Sequence, residues 1–130
     1  MMIKQDYLIR IIQETFTAIA NMLLKRKKIT QKEWSEYEDT AQKILGVNMM
    51  QLQTMRAEDI LSLYDTQADL EKIELAAMVM LKIADETKDD LLLKTKLQQD
   101  GLNLLEYVQT HGTTYSLQRQ LLINLLKIPR

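Results

Sequence analysis

The chain has no cysteine, a single proline at Pro129, and only three glycines, Gly46, Gly101 and Gly112, among 130 residues. Without cysteine there is no disulfide, thiolate zinc site, iron–sulfur cluster or cysteine nucleophile, and a reducing cytoplasm is the compartment that asks least of it. With so little proline and glycine, almost nothing interrupts long hydrogen-bonded helices. His111 is the only histidine, which rules out any site needing two imidazoles, including a helical di-iron site built on two Glu-x-x-His units. Charge of one sign is missing too. Seventeen basic against eighteen acidic side chains leave a formal net charge of −1, no global reason to look for nucleic acid or an anionic membrane. Nowhere do about 18 apolar residues run together, and residues 1–13 are interrupted by Lys4, Gln5, Asp6 and Arg10, unlike a signal peptide. The expectation is an untargeted cytoplasmic protein with no cofactor and no membrane partner.

What is present is helical periodicity. A mass of 15.2 kDa, 46% hydrophobic and 27% charged residues fit one globular domain over residues 1–130. A first helix over 4–27 carries Leu8, Ile11, Ile12, Thr15, Phe16, Ile19, Met22 and Leu23 on one stripe. Thr30-Gln31-Lys32-Glu33 has capping-box order and opens a helix with Trp34, Tyr37, Ala41, Ile44 and Leu45 inward, closed by Gly46. Between 47 and 65 the pattern weakens, with short helical suggestions around Met49, Met50, Leu52 and Met55 and around Ile60, Leu61, Leu63 and Tyr64. Residues 66–69 read as a cap. After them, 75–84 is apolar except for Lys82, too apolar for a one-sided surface helix, which predicts a central one.

The next helix is predicted over 89–110, with Leu93, Leu97, Gly101, Leu104, Leu105 and Val108 on one face. A mid-helix glycine costs up to about 1 kcal/mol relative to alanine, so Gly101 on that apolar face predicts a close helix crossing. Gly112 ends the helix, and Ser116 caps a last one carrying Leu117, Leu121, Leu122, Leu125 and Leu126. The predicted fold is all-α, with five or six helices in an antiparallel, tetratricopeptide-like array or bundle: two pairs, 4–45 and 69–110, an irregular middle and a terminal helix.

The opening segment Met2-Ile3-Lys4-Gln5-Asp6-Tyr7-Leu8-Ile9-Arg10-Ile11-Ile12 resembles the start of a bacterial domain-of-unknown-function family whose members begin with a Met-Ile-x-Gln-Asp-Tyr-type segment followed by an arginine. Ile44-Leu45-Gly46-Val47 and Ala57-Glu58-Asp59-Ile60-Leu61-Ser62-Leu63 are similar to that family's middle. The resemblance implies a small helical protein related in shape to tetratricopeptide modules, with no assigned reaction and no catalytic residue to transfer.

Candidate chemistry is sparse. Asp6, Arg10 and Glu14 stand four apart and form an ion-pair ladder worth a few tenths of a kcal/mol per pair; the sharper reading makes Gln5, Asp6, Tyr7 and Arg10 a recognition patch, with the arginine as a planar donor to a carboxylate or phosphate. The run Lys25-Arg26-Lys27-Lys28 reads as a helix end complementing the macrodipole, and no aromatic platform accompanies it for nucleic acid. Residues 1–28 carry six basic and two acidic side chains, which leaves room for a salt-sensitive contact with an acidic partner. Glu33-x-x-Glu36 and Glu86-x-x-Asp89 supply paired carboxylates of the kind that hold magnesium in all-α phosphohydrolases, provided the pairs converge in space. His111 beside Gly112 suits a helix end, and eight methionines suit core gaps or an adaptable groove. The reading that these residues favour is a noncatalytic helical scaffold that binds protein, a partner peptide or another copy of itself, the metal-dependent hydrolase being the alternative from another class.

Overall fold

Seven helices account for the structure, a computed structural model that describes residues 5–64, 69–112 and 116–128, the side chains of Gln5 and Asp6 excepted. They are α1 (Gln5–Lys25), α2 (Gln31–Leu45), α3 (Met49–Thr54), α4 (Ala57–Leu63), α5 (Leu70–Glu86), α6 (Leu91–His111) and α7 (Leu117–Lys127). No strand occurs among the described residues, so the all-α class holds. The count of five or six does not, because the weakly patterned middle makes two separately capped short helices. Asn48 accepts from the Gln51 N–H at 2.8 Å while Gln51 accepts from the Asn48 N–H at 2.9 Å. Asp59 accepts from the Arg56 N–H at 2.9 Å.

The local signals at the other ends act as the residue types dictate. Thr30 accepts from the Glu33 N–H at 3.1 Å and Glu33 accepts from the Thr30 N–H at 3.3 Å, satisfying two otherwise orphaned donors. Gly46 takes the left-handed conformation at φ 75° and donates to the Gln42 carbonyl. Asp90 and Ser116 cap α6 and α7 through the N–H groups of Leu93 and Arg119. Of the cap read over 66–69, positions 66–68 lie outside the described residues and Asp69 stands at the N-cap.

Helix α5 is central. Ile73, the unbroken run from Leu75 to Lys82, and Ala84 are all buried, so this helix is covered on every side. It packs most extensively against α6, then α1, and also meets α2, α3 and α4; α7 lies on α6 and touches α1. Contact between the first and last helices, and the slight contact between sequence neighbours α1 and α2, differ from a repeat stack, where each unit leans mainly on its chain neighbours. No helix among the described residues is long and apolar enough to cross a membrane.

The α5–α6 contact is close because Gly101 sits in it. A Cβ at Gly101 would lie 2.8 Å from Leu81 Cδ2, 2.9 Å from Leu81 Cγ and 3.3 Å from the Ala77 carbonyl oxygen. Since Leu81 is itself buried, it has little room to yield.

The phase of α7 departs from the sequence reading. Its inward face is Arg119, Leu122 and Ile123, with Leu126 partly covered, whereas Leu117 and Leu121 are 65% and 45% exposed. Counting leucines selected a broader stripe than the core takes up; the inward set 119, 122, 123, 126 has the tighter three- and four-residue spacing.

Two stability tests follow from the backbone. Gly101→Ala lowers stability in chemical denaturation by about 1–3 kcal/mol despite the better helix propensity of alanine, and the same change costs less in a Leu81→Ala background, where the clashing side chain is gone; a more stable Gly101→Ala protein would refute the crossing. Arg26, the one non-glycine residue with positive φ among those described, at 59°, is strained by its Cβ. Arg26→Gly therefore stabilises by about 1 kcal/mol, read as a rise in the denaturation midpoint, and a fall would show that the arginine side chain contributes more than its backbone costs.

Candidate functional site

The turn between α1 and α2 closes one end of a concavity. Helix α1 stops at Lys25, Arg26 turns left-handed, and the Lys27 N–H reaches back to the Asn21 carbonyl at 3.3 Å. This reversal brings Lys27 and Lys28 alongside α1 instead of leaving them to radiate from a helix end. Both α1 and α2 are drawn onto α5 more than onto each other, and a cleft of about 420 Å³ opens between them. Arg10, Glu14 and Thr17 of α1 face Glu33 and Tyr37 of α2 across it, with Lys27 and Lys28 at the turn. The size lies within the range of small-ligand and peptide side-chain sites, roughly 300–1,000 Å³.

Of the patch read from the first helix, the structure brings Tyr7 and Arg10 together. The guanidinium carbon lies 5.7 Å from the Tyr7 ring centroid and Arg10 Nε is 4.0 Å from Glu14. Tyr7 is 48% exposed, so it is no core residue. The side chains of Gln5 and Asp6, the other two members, lie outside the described residues. Of the described members of the patch, Arg10 lines the cleft and Tyr7 does not; Lys27 and Lys28 line the same cleft from the turn, beside Asn21.

The electrostatics of the cleft suit binding better than proton transfer. The hydrogen bond from the Thr30 hydroxyl, followed by that from the Thr30 N–H, holds the Glu33 carboxyl below its ordinary value. Burial, reinforced by Glu33, Glu14 and Glu36, pushes the Tyr37 hydroxyl up. Both shifts move away from neutrality, the reverse of what a general acid or base requires.

The carboxylate pairs do not converge. Glu33 is occupied by its cap, Glu86 pairs with Lys82, and among the described residues no group of three or more His, Asp or Glu side chains could hold a metal ion. Glu33 and Glu36 lie on α2, Glu86 ends α5 and Asp89 stands in the turn before α6. His111 sits at the end of α6 as its neighbour glycine suggested, with Nδ1 3.0 Å from the Tyr107 carbonyl and its ring stacked on Tyr107 at 3.9 Å. The methionines divide: Met78 and Met80 are fully buried in α5, while Met50 is 78% exposed.

Three polar clusters that sequence reasoning missed fasten the bundle. Arg119 of α7 donates to Glu74 of α5 at 2.5 Å and to Gln109 of α6 at 2.6 Å, and Gln109 donates on to the Ser116 carbonyl at 3.2 Å. Burial pushes the Glu74 carboxyl up while the charge and hydrogen bond of Arg119 pull it back. Lys82, buried in α5, places its ammonium 4.5 Å from the Trp34 ring centroid and pairs with Glu86; burial lowers its pKa against Asp85 and Glu38. Lys96 of α6 donates to the Gln53 carbonyl at 3.0 Å and to that of Met55, and lies 3.1 Å from Asp100. Lys82 was visible as the lone charge in an apolar run. Arg119 was visible only as a charge in phase with Leu122, Ile123 and Leu126.

No family model, curated protein or solved structure matches the chain, so residue roles come from its own geometry. The buried pair gives the test. Arg119→Ala leaves Glu74 covered and without its arginine, and costs about 3–5 kcal/mol in chemical denaturation. Changing both, as Arg119→Met with Glu74→Leu, restores most of the stability. Equal losses for the single and double variants would show that the pair is not coupled.

Proposed function

We propose that this protein is a noncatalytic helical scaffold of the cytoplasm that binds a protein partner in the cleft between α1 and α2. The observation that carries this reading is a cleft of about 420 Å³ lined by Arg10 on α1 and by Lys27 and Lys28 at the turn. Three cations against Glu14 and Glu33 give the rim one more positive than negative charge, which favours a peptide segment with an acidic edge. Thr17 and Tyr37 supply uncharged surface between the charges. Tyr7, stacked beside Arg10, extends the surface by one helical turn, and Gln5 and Asp6 belong to the same turn. Tyrosine and arginine are frequent anchors at interfaces because each combines a large contact area with directed hydrogen bonds.

The shape supports a bundle around α5 in place of a tetratricopeptide-like array. A groove of the repeat kind needs successive pairs to stack in order, whereas here the cleft arises because one buried helix holds two sequence neighbours apart. The likeness of the opening residues to the bacterial helical family is compatible with this role, since that resemblance implies a small helical protein with no assigned reaction.

The test compares affinity purification from the native organism using the wild-type chain and a Tyr7→Ala, Arg10→Ala, Lys28→Glu triple variant. Far-ultraviolet circular dichroism remains unchanged, because all three side chains are exposed. A partner enriched by the wild type falls at least tenfold with the variant, equivalent to about 1.4 kcal/mol. Retention of the same partners in the same amounts would reject the cleft as the binding site.

A further inference from the structure

The cleft between α1 and α2 has a length and a pattern as well as a volume. Its α1 wall is one stripe from Arg10 to Asn21, an offset of eleven residues that rises about 16 Å. Lys27 and Lys28 line it from the turn, and the bond from the Lys27 N–H to the Asn21 carbonyl at 3.3 Å puts them at the Asn21 end. Cations therefore stand toward both ends, an arrangement that suits two acidic groups held apart better than one.

Between the ends lies a row of neutral polar side chains. Gln13, Thr17 and Asn21 follow one another at four-residue intervals on the cleft wall, so the row steps by about 6 Å. Gln13 and Thr17 are exposed and Asn21 is half-buried, and none of the three side chains makes a hydrogen bond among the described residues. An extended chain presents the N–H and C=O of alternate residues to the same edge, a repeat of about 6.7 Å. Carboxamide and hydroxyl groups both donate and accept, so the row matches one edge of an extended peptide in period and in chemistry. The mismatch of about 1.4 Å over two steps is within what side-chain rotation absorbs.

Other occupants fit this lining less well. The N–H and C=O groups along an α-helix are bonded internally and leave the row nothing to pair with. A nucleic-acid strand carries a negative charge on every nucleotide, and the cleft sets the carboxylates of Glu14 and Glu33 among its cations. A segment acidic at two places and neutral between them avoids that repulsion.

We propose that the cleft holds an extended segment of a partner protein, laid along α1 with alternate peptide groups on Gln13, Thr17 and Asn21. Two acidic side chains four residues apart, on one face of the segment and separated by about 13 Å, reach Arg10 at one end and Lys28 at the other. The proposal rests on the cleft being the binding site, and adds the conformation and charge spacing of what binds there.

Short synthetic peptides of serine, threonine and valine around two aspartates, blocked at both ends, test it by fluorescence anisotropy with the full chain. Aspartates four apart bind about tenfold tighter than the same composition with the aspartates adjacent. Methylating alternate backbone nitrogens of the better peptide weakens binding about tenfold for one set of alternate residues and leaves it unchanged for the other. Lys28→Glu lowers the affinity by a similar factor with an unchanged helical spectrum, since Lys28 is exposed, and replacing one of the two aspartates by lysine restores it. Equal binding of the two spacings, equal effects of the two methylation sets, or no binding up to about 1 mM would overturn the proposal. A stapled helical peptide or an oligothymidylate that binds instead, and is lost with Lys28→Glu, would overturn the extended segment while keeping the cleft as the binding site. A native partner that copurifies equally with the wild type and the cleft variant rejects the cleft itself.

Discussion

The burial of α5 along its unbroken run from Leu75 to Lys82 is the constraint from which the other features derive. Ten of its residues are removed from solvent, and fully burying one aliphatic side chain contributes about 1.5–3 kcal/mol, so neighbouring helices lower the free energy most by covering α5. Helix α6 approaches closest, through the missing side chain at Gly101. Helices α1 and α2, though joined by a short turn, lie on α5 before they lie on each other. The cleft is what remains between them. Its polar lining follows, because the apolar stripes of both helices, Ile12, Phe16 and Ile19 on one and Trp34, Ala41 and Leu45 on the other, are committed inward.

The helices were legible where short-range chemistry decides them. Thr30 with Glu33, Gly46, Ser116 and Gly112 mark ends through bonds that span three or four residues, and such bonds form wherever the order of residues permits. The central position of α5 was legible from composition alone, and the tight crossing from a glycine on an apolar face. The weaker middle was underestimated because two helices of six and seven residues carry too few turns for a periodic signal, and their caps, Asn48 with Gln51 and Arg56 with Asp59, were not sought. The rotation of α7 was not legible because leucine stands on either face, whereas a buried arginine is intelligible only once its partners Glu74 and Gln109 are in place.

The candidate site was legible in pieces and not as a place. Arg10 and the basic run are each visible in the sequence, but no local rule places residue 10 and residues 27 and 28 on the lining of one cleft. Only the left-handed Arg26 and the reversal after α1 do so, and a non-glycine residue in that conformation has no signature in sequence. Conversely, the carboxylate pairs looked suggestive because spacing is visible while distance is not. Glu33 turned out to serve Thr30, and Glu86 to serve Lys82.

The lysine that reaches from α6 to the end of α3 has a consequence for how the molecule opens. Helices of six and seven residues are far below the length at which an isolated helix persists in water, so α3 and α4 owe their order to what holds them. Lys96 binds the carbonyls of Gln53 and Met55 from the second turn of a helix that packs against α5. The segment from 49 to 63 is thereby tied to α6, and its order depends on that helix staying in place.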